Sequence, residues 1–350
     1  MKAAVVESIG TIVLKEVNNP KVPVDSILIR VKACAICGSD LRIVYGKDRR
    51  VKLPMIIGHE MAGIVEQVGH TVEGFKEGDR VTVAPGISCG KCRMCKKGLQ
   101  NLCENMISIG YFYPGGFTQY MVPPPLAVTQ GFVNKIPESL SLHEATIAEP
   151  LACCINGQEI LKITREDTAA IIGAGPIGCM HIELCNVRGC KKIILLQRSQ
   201  PRLDIAKQRF HANVYINTSR EDGIKRVLEE TDGYGADVVI VATPSGEAQK
   251  QALQMVAKRG RVSFFGGLPH DESEVCIDTN LIHYKECFIC GASSSTGKQN
   301  RESLKILSEG KIRARDFITH VFPLEKIREA FQTAKEKRGL RVLVKPWENI

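Results

Sequence analysis

Ala169-Ala170-Ile171-Ile172-Gly173-Ala174-Gly175-Pro176-Ile177-Gly178 is the stretch on which the fold turns. Four apolar residues lead into three glycines spaced G-x-G-x-x-G, and an apolar helical pattern continues to Arg188. Glycine-rich turns are common, but one that follows a strand, opens a helix and begins a β-α-β unit is informative. In that setting Gly173 permits the tight turn and Gly175 lets a pyrophosphate approach the backbone. Gly178 lets helix and strand pack closely, and the helix N-terminus, with Pro176 and Ile177, points free N–H groups at an anion.

Outward from this turn the alternation continues. The pattern predicts strands at 169–172, 192–196, 236–242 and 261–265, with helices at 175–188, 200–210 and 246–256 between them. Alternation of this kind implies a parallel sheet covered by helices, a doubly wound α/β (Rossmann) domain. The first third reads differently, as short strands at 26–33, 63–68 and 79–84 punctuated by Gly and Pro. Beyond residue 292 come helical stretches at 301–309 and 324–337 and a last strand at 340–345. The expected organisation is a discontinuous, mainly β catalytic domain (1–155, completed by 293–350) around a cofactor domain (156–292), with ligands in the cleft between them.

A second strand of an NAD-binding unit ends in an acidic residue about 20 positions past the glycines, where it holds the ribose diol. Here the strand ends Leu196-Gln197-Arg198-Ser199. Gln197 removes the charge that would repel a 2′-phosphate, and Arg198 with Arg202 offers cationic partners to one. The expectation is NADP in preference to NAD; the alternative is that Gln197 still bonds a ribose diol and both arginines are solvated.

Composition narrows the field. The 350 residues are 44% hydrophobic and 24% charged, enough for two cores. No apolar run approaches the roughly 18–20 residues of a membrane span, and Glu7 interrupts the N-terminal apolar stretch, so no signal peptide is read. The net charge of +9 is spread along the chain and aromatics make up 5%, which argues against nucleic acid as a partner. Fourteen cysteines lack the spacing of a secreted disulfide framework, which points to a reducing, cytoplasmic setting.

Four of those cysteines, Cys89, Cys92, Cys95 and Cys103, sit in one short loop with Gly90 and Gly98 permitting its bends. Tetrahedral zinc takes four thiolates at about 2.3 Å, and a closed all-cysteine shell marks a structural site. An iron–sulfur cluster uses the same ligands. The cations around the loop (Lys91, Arg93, Lys96, Lys97) would equally suit nucleic acid or a merely solvated lobe, and the second reading is preferred. Scattered elsewhere are Cys37-Gly38-Ser39-Asp40, Gly58-His59-Glu60 and Glu149-Pro150. Catalytic zinc holds three protein ligands and leaves one position open, but spacing alone cannot assemble these residues.

Taken together and in this order, those motifs resemble the zinc-dependent medium-chain dehydrogenase family, nearly end to end. Glu149-Pro150 resembles its sorbitol (polyol) and threonine dehydrogenase branch, where other alcohol dehydrogenases carry cysteine. The resemblance implies a GroES-like catalytic domain and two zinc ions per chain. It implies a catalytic zinc held by Cys37, His59 and a glutamate, with Glu60 and Glu149 both carried over. Ser39 would pass the substrate proton toward solvent as hydride moves between an alcohol carbon and the nicotinamide. It implies a homo-oligomer, a dimer or tetramer. Gly266-Gly267, after the strand at 261–265, would flank the nicotinamide.

One departure bears on substrate. Polyol dehydrogenases often show His-Tyr after Cys-Gly-Ser-Asp, whereas this chain has Leu41-Arg42-Ile43. The expectation is a polyol, sugar acid or sugar-alcohol phosphate; Lys47, Arg49 and Arg50 nearby would suit a substrate bearing phosphate or carboxylate, and a solvated basic loop is an alternative of at least equal weight. L-Threonine oxidation is the rival within the enzyme class, and a zinc-knuckle binding protein on a dehydrogenase scaffold is the rival outside it. A scaffold need not keep Cys37, His59 and Glu149 together, which favours the enzyme.

Overall fold

The computed structural model describes residues 1–46, 48 and 50–347. Lys47 and Arg49, both named above for the basic loop, lie outside the described residues. The chain divides into two compact units, Met1–Ala152 with Ser294–Ile350, and Cys153–Ser293.

The second unit is an α/β Rossmann fold. Its six strands lie in the order Val214–Asn217, Lys192–Gln197, Thr168–Ile172, Ala236–Val241, Val256–Phe264, Phe288–Gly291, all parallel. Thr168–Ile172 is buried at every position, as a central strand covered by helices on both faces must be. From it the chain first steps outward to Lys192–Gln197 and Val214–Asn217, then returns to Ala236–Val241 on the other side. The strand order therefore reverses at the C-terminal end of Thr168–Ile172, where Gly173 begins the turn; such a switch point leaves a crevice for a ligand. Ala170, Ile194, Leu196, Val239 and Val241 form the core of this unit.

Two strands of only four residues, Val214–Asn217 and Phe288–Gly291, and the helix Gly223–Glu229 went unread in the sequence. The strand expected at 261–265 instead runs Val256–Phe264, directly from the end of the helix Gly246–Met255. Its register against Ala236–Val241 slips once, and Arg259 (φ +61) sits within it. An irregular strand of this kind has no clean alternation for a sequence pattern to catch.

In the first unit, Val133–Lys135, Arg80–Val83, Glu60–Val68, Ile27–Ala35, Arg341–Lys345 and Ile318–Pro323 lie side by side, and Tyr120–Met121 pairs with Ile27–Ala35. The C-terminal strand belongs to this sheet: Leu343 pairs with Ala35 and Val344 with Cys34. That pairing makes the unit discontinuous in sequence. Helix Ile327–Lys335 buries Ile327, Ala330 and Phe331, one helical face, and Phe331 meets Phe117 edge-on with centroids 5.6 Å apart. The helix expected over 324–337 is thus a 3₁₀ turn, Leu324–Lys326, followed by this shorter helix. Among the described residues no helix is long and apolar enough to cross a membrane.

Candidate active site

The antiparallel pair Ile27–Ala35 and Glu60–Val68 brings distant motifs together, with Ala35 opposite Glu60. Cys37 follows the first strand and caps the helix Gly38–Val44; its N–H donates to Asp40 Oδ2 at 2.8 Å. Asp40 is wholly buried, and its other oxygen lies 3.4 Å from His59 Nδ1. That contact turns Nε2 the other way, to within 3.5 Å of Ser39 Oγ. His59 is aimed by Gly58, whose φ is +97 and whose absent Cβ would stand 2.8 Å from the Phe117 ring and 2.9 Å from the Cys34 sulfur.

A ligand atom from each of Cys37, His59 and Glu60 lies within 4.8 Å of the other two. Glu60 is fully buried and neither of its oxygens has a hydrogen-bond partner among the described residues, although Oε1 stands 2.9 Å from Arg341 Nη2. Arg341 comes from the C-terminal strand, is itself buried, and donates to the Ile36 carbonyl at 3.4 Å. A buried carboxylate held by an ion pair alone, with no hydrogen bond on either oxygen, keeps lone pairs open to a further partner. A thiol, an imidazole and such a carboxylate are a donor set zinc accepts, and Asp40 behind the imidazole is the usual outer partner of a metal-bound histidine. These residues fit a zinc ion.

Burial and neighbouring charges shift all three groups. Burial alone would raise the Cys37 thiol, but the hydrogen bond and charge of His59, with Arg341 behind, hold it down at about 6. Burial pushes the Glu60 carboxyl well above its ordinary range, with Arg341 pulling the other way. Burial disfavours the His59 cation, yet Asp40 and Cys37 outweigh it and raise the ring well above the usual imidazole value.

Glu149, expected beside Glu60, is buried in the first turn of the helix Ala148–Ile160 and lies outside the group of three, though its charge reaches Arg341. Three residues of the site were not assigned roles from sequence. Asp40 could have been, since it stands three residues past Cys37. Arg341 and Tyr111 carried no signal; the Tyr111 ring lies 5.9 Å from the His59 ring. Arg42 lies in the last turn of the helix Gly38–Val44. Arg50 is bonded to Asp48 at 2.9 and 2.6 Å.

The four-cysteine lobe is assembled too. All four sulfurs lie within 4.8 Å of one another; Cys92 is 3.4 Å from Cys95 and 3.9 Å from Cys103. A zinc tetrahedron with bonds of about 2.3 Å has sulfur–sulfur edges of roughly 3.8 Å, so the donor set fits. Gly90 (φ +73) and Gly98 (φ +77) make the bends. Backbone N–H groups of Lys91 and Cys92 hold the Cys89 thiol down at about 6, while burial pushes Cys103 up to about 12.

At the glycine turn, a Cβ on Gly178 would fall 1.8 Å from the Gly173 carbonyl oxygen, so helix and turn are in backbone contact. Gly175 caps the helix Pro176–Arg188. Gln197 Oε1 accepts from the Ala174 N–H at 3.1 Å, Arg198 is exposed, and Arg202 reaches the turn itself, 3.5 Å from where a Gly175 Cβ would be. Arg202 is half-buried, and burial lowers its pKa. Gly266 packs against the Thr243 backbone, at 2.7 Å from a Cβ placed there, so close contact between strand ends accounts for that glycine.

Comparison with known proteins matches both parts of the chain. The profile of the alcohol dehydrogenase GroES-like domain matches residues 23–135, and that of the zinc-binding dehydrogenase matches 176–309. An L-threonine 3-dehydrogenase from Bacillus licheniformis is 34% identical over 93% of each chain. A sorbitol dehydrogenase from Bacillus subtilis is 32% identical over 99% of this chain and 97% of its own. A solved structure described as a zinc-binding dehydrogenase from Sinorhizobium meliloti 1021, bound to NADP, superposes with a TM-score of 0.91 at 30% identity over 99% of both chains. The chain belongs to the zinc-dependent medium-chain dehydrogenase family. It is an NAD(P)-dependent oxidoreductase of the alcohol dehydrogenase type.

Proposed function

We propose that the chain oxidises the secondary alcohol of a polyol, sugar acid or sugar-alcohol phosphate, or reduces the matching ketone, with NADP preferred. The observation that carries this reading is the convergence of Cys37, His59 and Glu60 on one point within 4.8 Å, with Ser39 against His59. Cys37, His59 and Glu60 would hold the catalytic zinc, with Glu149 able to replace Glu60. Cys89, Cys92, Cys95 and Cys103 would hold a second, structural zinc. When bound, the catalytic zinc supplies Lewis-acid polarisation of the reacting oxygen. Asp40 fixes the His59 ring, Arg341 balances the Glu60 charge, and Ser39 takes the proton of the substrate hydroxyl.

Gly173, Gly175 and Gly178, with Pro176 and Ile177 at the helix start, would seat the pyrophosphate of the dinucleotide. Arg202, already against the turn, would bind a cofactor phosphate. Gln197 carries no charge to repel a 2′-phosphate, and exposed Arg198 is free to meet one. Arg42 and Arg50 both act on Asp48, and cations in this loop support a substrate bearing carboxylate or phosphate. Threonine is the second reading, supported by the relatives named for that activity. Zinc thiolates need reduced cysteines, which supports the cytoplasm as the setting, and a homo-oligomer is part of the same reading.

The test is a substrate panel of polyols, sugar acids, polyol phosphates and threonine with NAD and with NADP, run beside metal analysis. Two zinc ions per chain and chelator-sensitive turnover of a charged polyol are expected. A single tightly bound zinc, with turnover indifferent to chelators, would overturn it.

A further inference from the structure

The helix Gly297–Ser308 carries Arg301, Leu304, Lys305 and Ser308 at i, i+3, i+4 and i+7, a spacing that turns all four to one side. That side faces the strand Val133–Lys135 across a cavity of about 440 Å³, whose further walls include Phe75 and Pro137. Small-ligand sites have volumes of this order. None of the lining residues belongs to the glycine turn or to the group Cys37, His59 and Glu60. Two glycines let helix and strand approach. A Cβ on Gly297 would stand 2.7 Å from the Gly131 oxygen, and one on Gly131 (φ +73) would stand 3.2 Å from Arg301 Nη1.

The floor is apolar, with Val133 and Leu304 buried and Phe75 half-buried, while Arg301 and Lys305 are exposed at the rim. Arg301 Nη1 donates to the Gly131 carbonyl at 2.8 Å and to Asn134 Oδ1 at 3.3 Å. Asn134 is buried and fixed in turn, its Nδ2 donating to Asn300 Oδ1 at 3.0 Å and to the Phe132 carbonyl at 3.2 Å. Only neutral oxygens therefore hold this guanidinium, and among the described residues it forms no ion pair. Its Nε and Nη2, the two donors of the side-on edge, stay free for a ligand. Lys305 lies 3.8 Å from Glu309, a carboxylate that Lys311 holds more closely, at 2.7 Å. Lys135 pairs with Asp79 at 2.9 Å and stands 5.6 Å from the centre of the Phe75 ring, which fixes that ring at the cavity wall.

We propose that this cavity binds a small organic anion, an oxyanion head (carboxylate or phosphate) on an apolar body. The head meets the free edge of Arg301, which matches two oxygens at once, with Lys305 beside it. The body lies on Phe75, Val133 and Leu304. A bare ion would leave the apolar floor uncovered, and a neutral ligand would leave the guanidinium without an anion, so the two features together select the amphiphilic anion. Such a ligand ties the helix to the strand and stabilises the fold by mass action.

The experiment is calorimetric titration of the zinc-loaded chain with nicotinamide cofactor saturating, using phenyl phosphate, benzoate, benzamide and inorganic phosphate as probes. Phenyl phosphate and benzoate should bind and raise the melting temperature. Benzamide and inorganic phosphate should bind at least about tenfold more weakly, since each lacks one half of the recognition. Arg301→Gln should weaken both organic anions at least about tenfold, with zinc content, cofactor affinity and the unliganded melting temperature at wild-type values. Lys305→Gln, at an exposed position clear of the strand, should weaken them severalfold and carries the test if Arg301→Gln disturbs the fold. Benzoate binding no tighter than benzamide, or inorganic phosphate matching phenyl phosphate, overturns the ligand class. Organic anions that bind both variants as they bind wild type are held elsewhere, and the site is refuted. No readout uses turnover, so failure of the substrate reading above would leave this result standing.

Discussion

At the residue scale the cofactor turn depends on a missing methyl group. A Cβ on Gly178 would stand 1.8 Å from the Gly173 oxygen, a backbone atom that cannot move without opening the turn. Gly178→Ala is expected to abolish cofactor binding, read by quenching of reduced-cofactor fluorescence, and to destabilise the chain by about 1–3 kcal/mol; wild-type affinity in that variant would sink the argument. His181 shows burial acting on charge. It lies wholly inside the Rossmann unit, edge-on to Phe265 and 3.3 Å from Gln158 Nε2, and burial pushes its ring from 6.5 down to about 3. Between those values the unfolded chain binds the proton and the folded one does not, so stability is whole above pH 6.5 and drains as the pH falls toward 3. The loss is about 1.4 kcal/mol per pH unit. His181→Leu should flatten the fall in melting temperature between pH 6.5 and 5. Parallel wild-type and variant curves would show that His181 does not carry it.

At the scale of elements, legibility tracks how far apart in the chain the contacting groups stand. The four-cysteine cluster could be read because its sulfurs fall within residues 89–103, and the glycine turn because strand, turn and helix are consecutive. The active site was readable only by resemblance: Cys37 and His59 meet because two strands pair, and no spacing rule encodes that pairing. Arg341 reaches Glu60 from the far end of the chain, and Tyr111 reaches the His59 ring from a turn with no regular period, so neither left a trace in the sequence pattern. The short strands Val214–Asn217 and Phe288–Gly291 were missed for a related reason, since so brief a run sets no clear period. The lobe is also the element most open to test. Metal supplies much of the folding free energy of such small loops. Cys103→Ser should therefore release one zinc per chain and expose the bond after Lys96 or Lys97, both already solvent-exposed, to trypsin. An unchanged metal count and digestion pattern would refute the structural role.

For the whole molecule the open question is what meets the free edge of the Rossmann sheet. Phe288–Gly291 is the last strand of the order, paired on one side only with Val256–Phe264. Such edges invite another chain unless charge, proline or a covering element blocks them. Here the edge carries an exposed aromatic, Phe288 at 56%, and Tyr284 of the preceding helix is 74% exposed. Arg259 stacks on Phe288 and is paired with Glu286 at 2.9 Å. A two-fold axis beside this strand would pair it antiparallel with itself and join two six-stranded sheets, burying both aromatics in an isologous contact. Phe288→Glu places like charges across that axis and should shift the sedimentation coefficient toward that of a single chain, leaving the parallel sheet and its circular dichroism intact. An oligomer that survives this substitution at micromolar concentration must be built on another face.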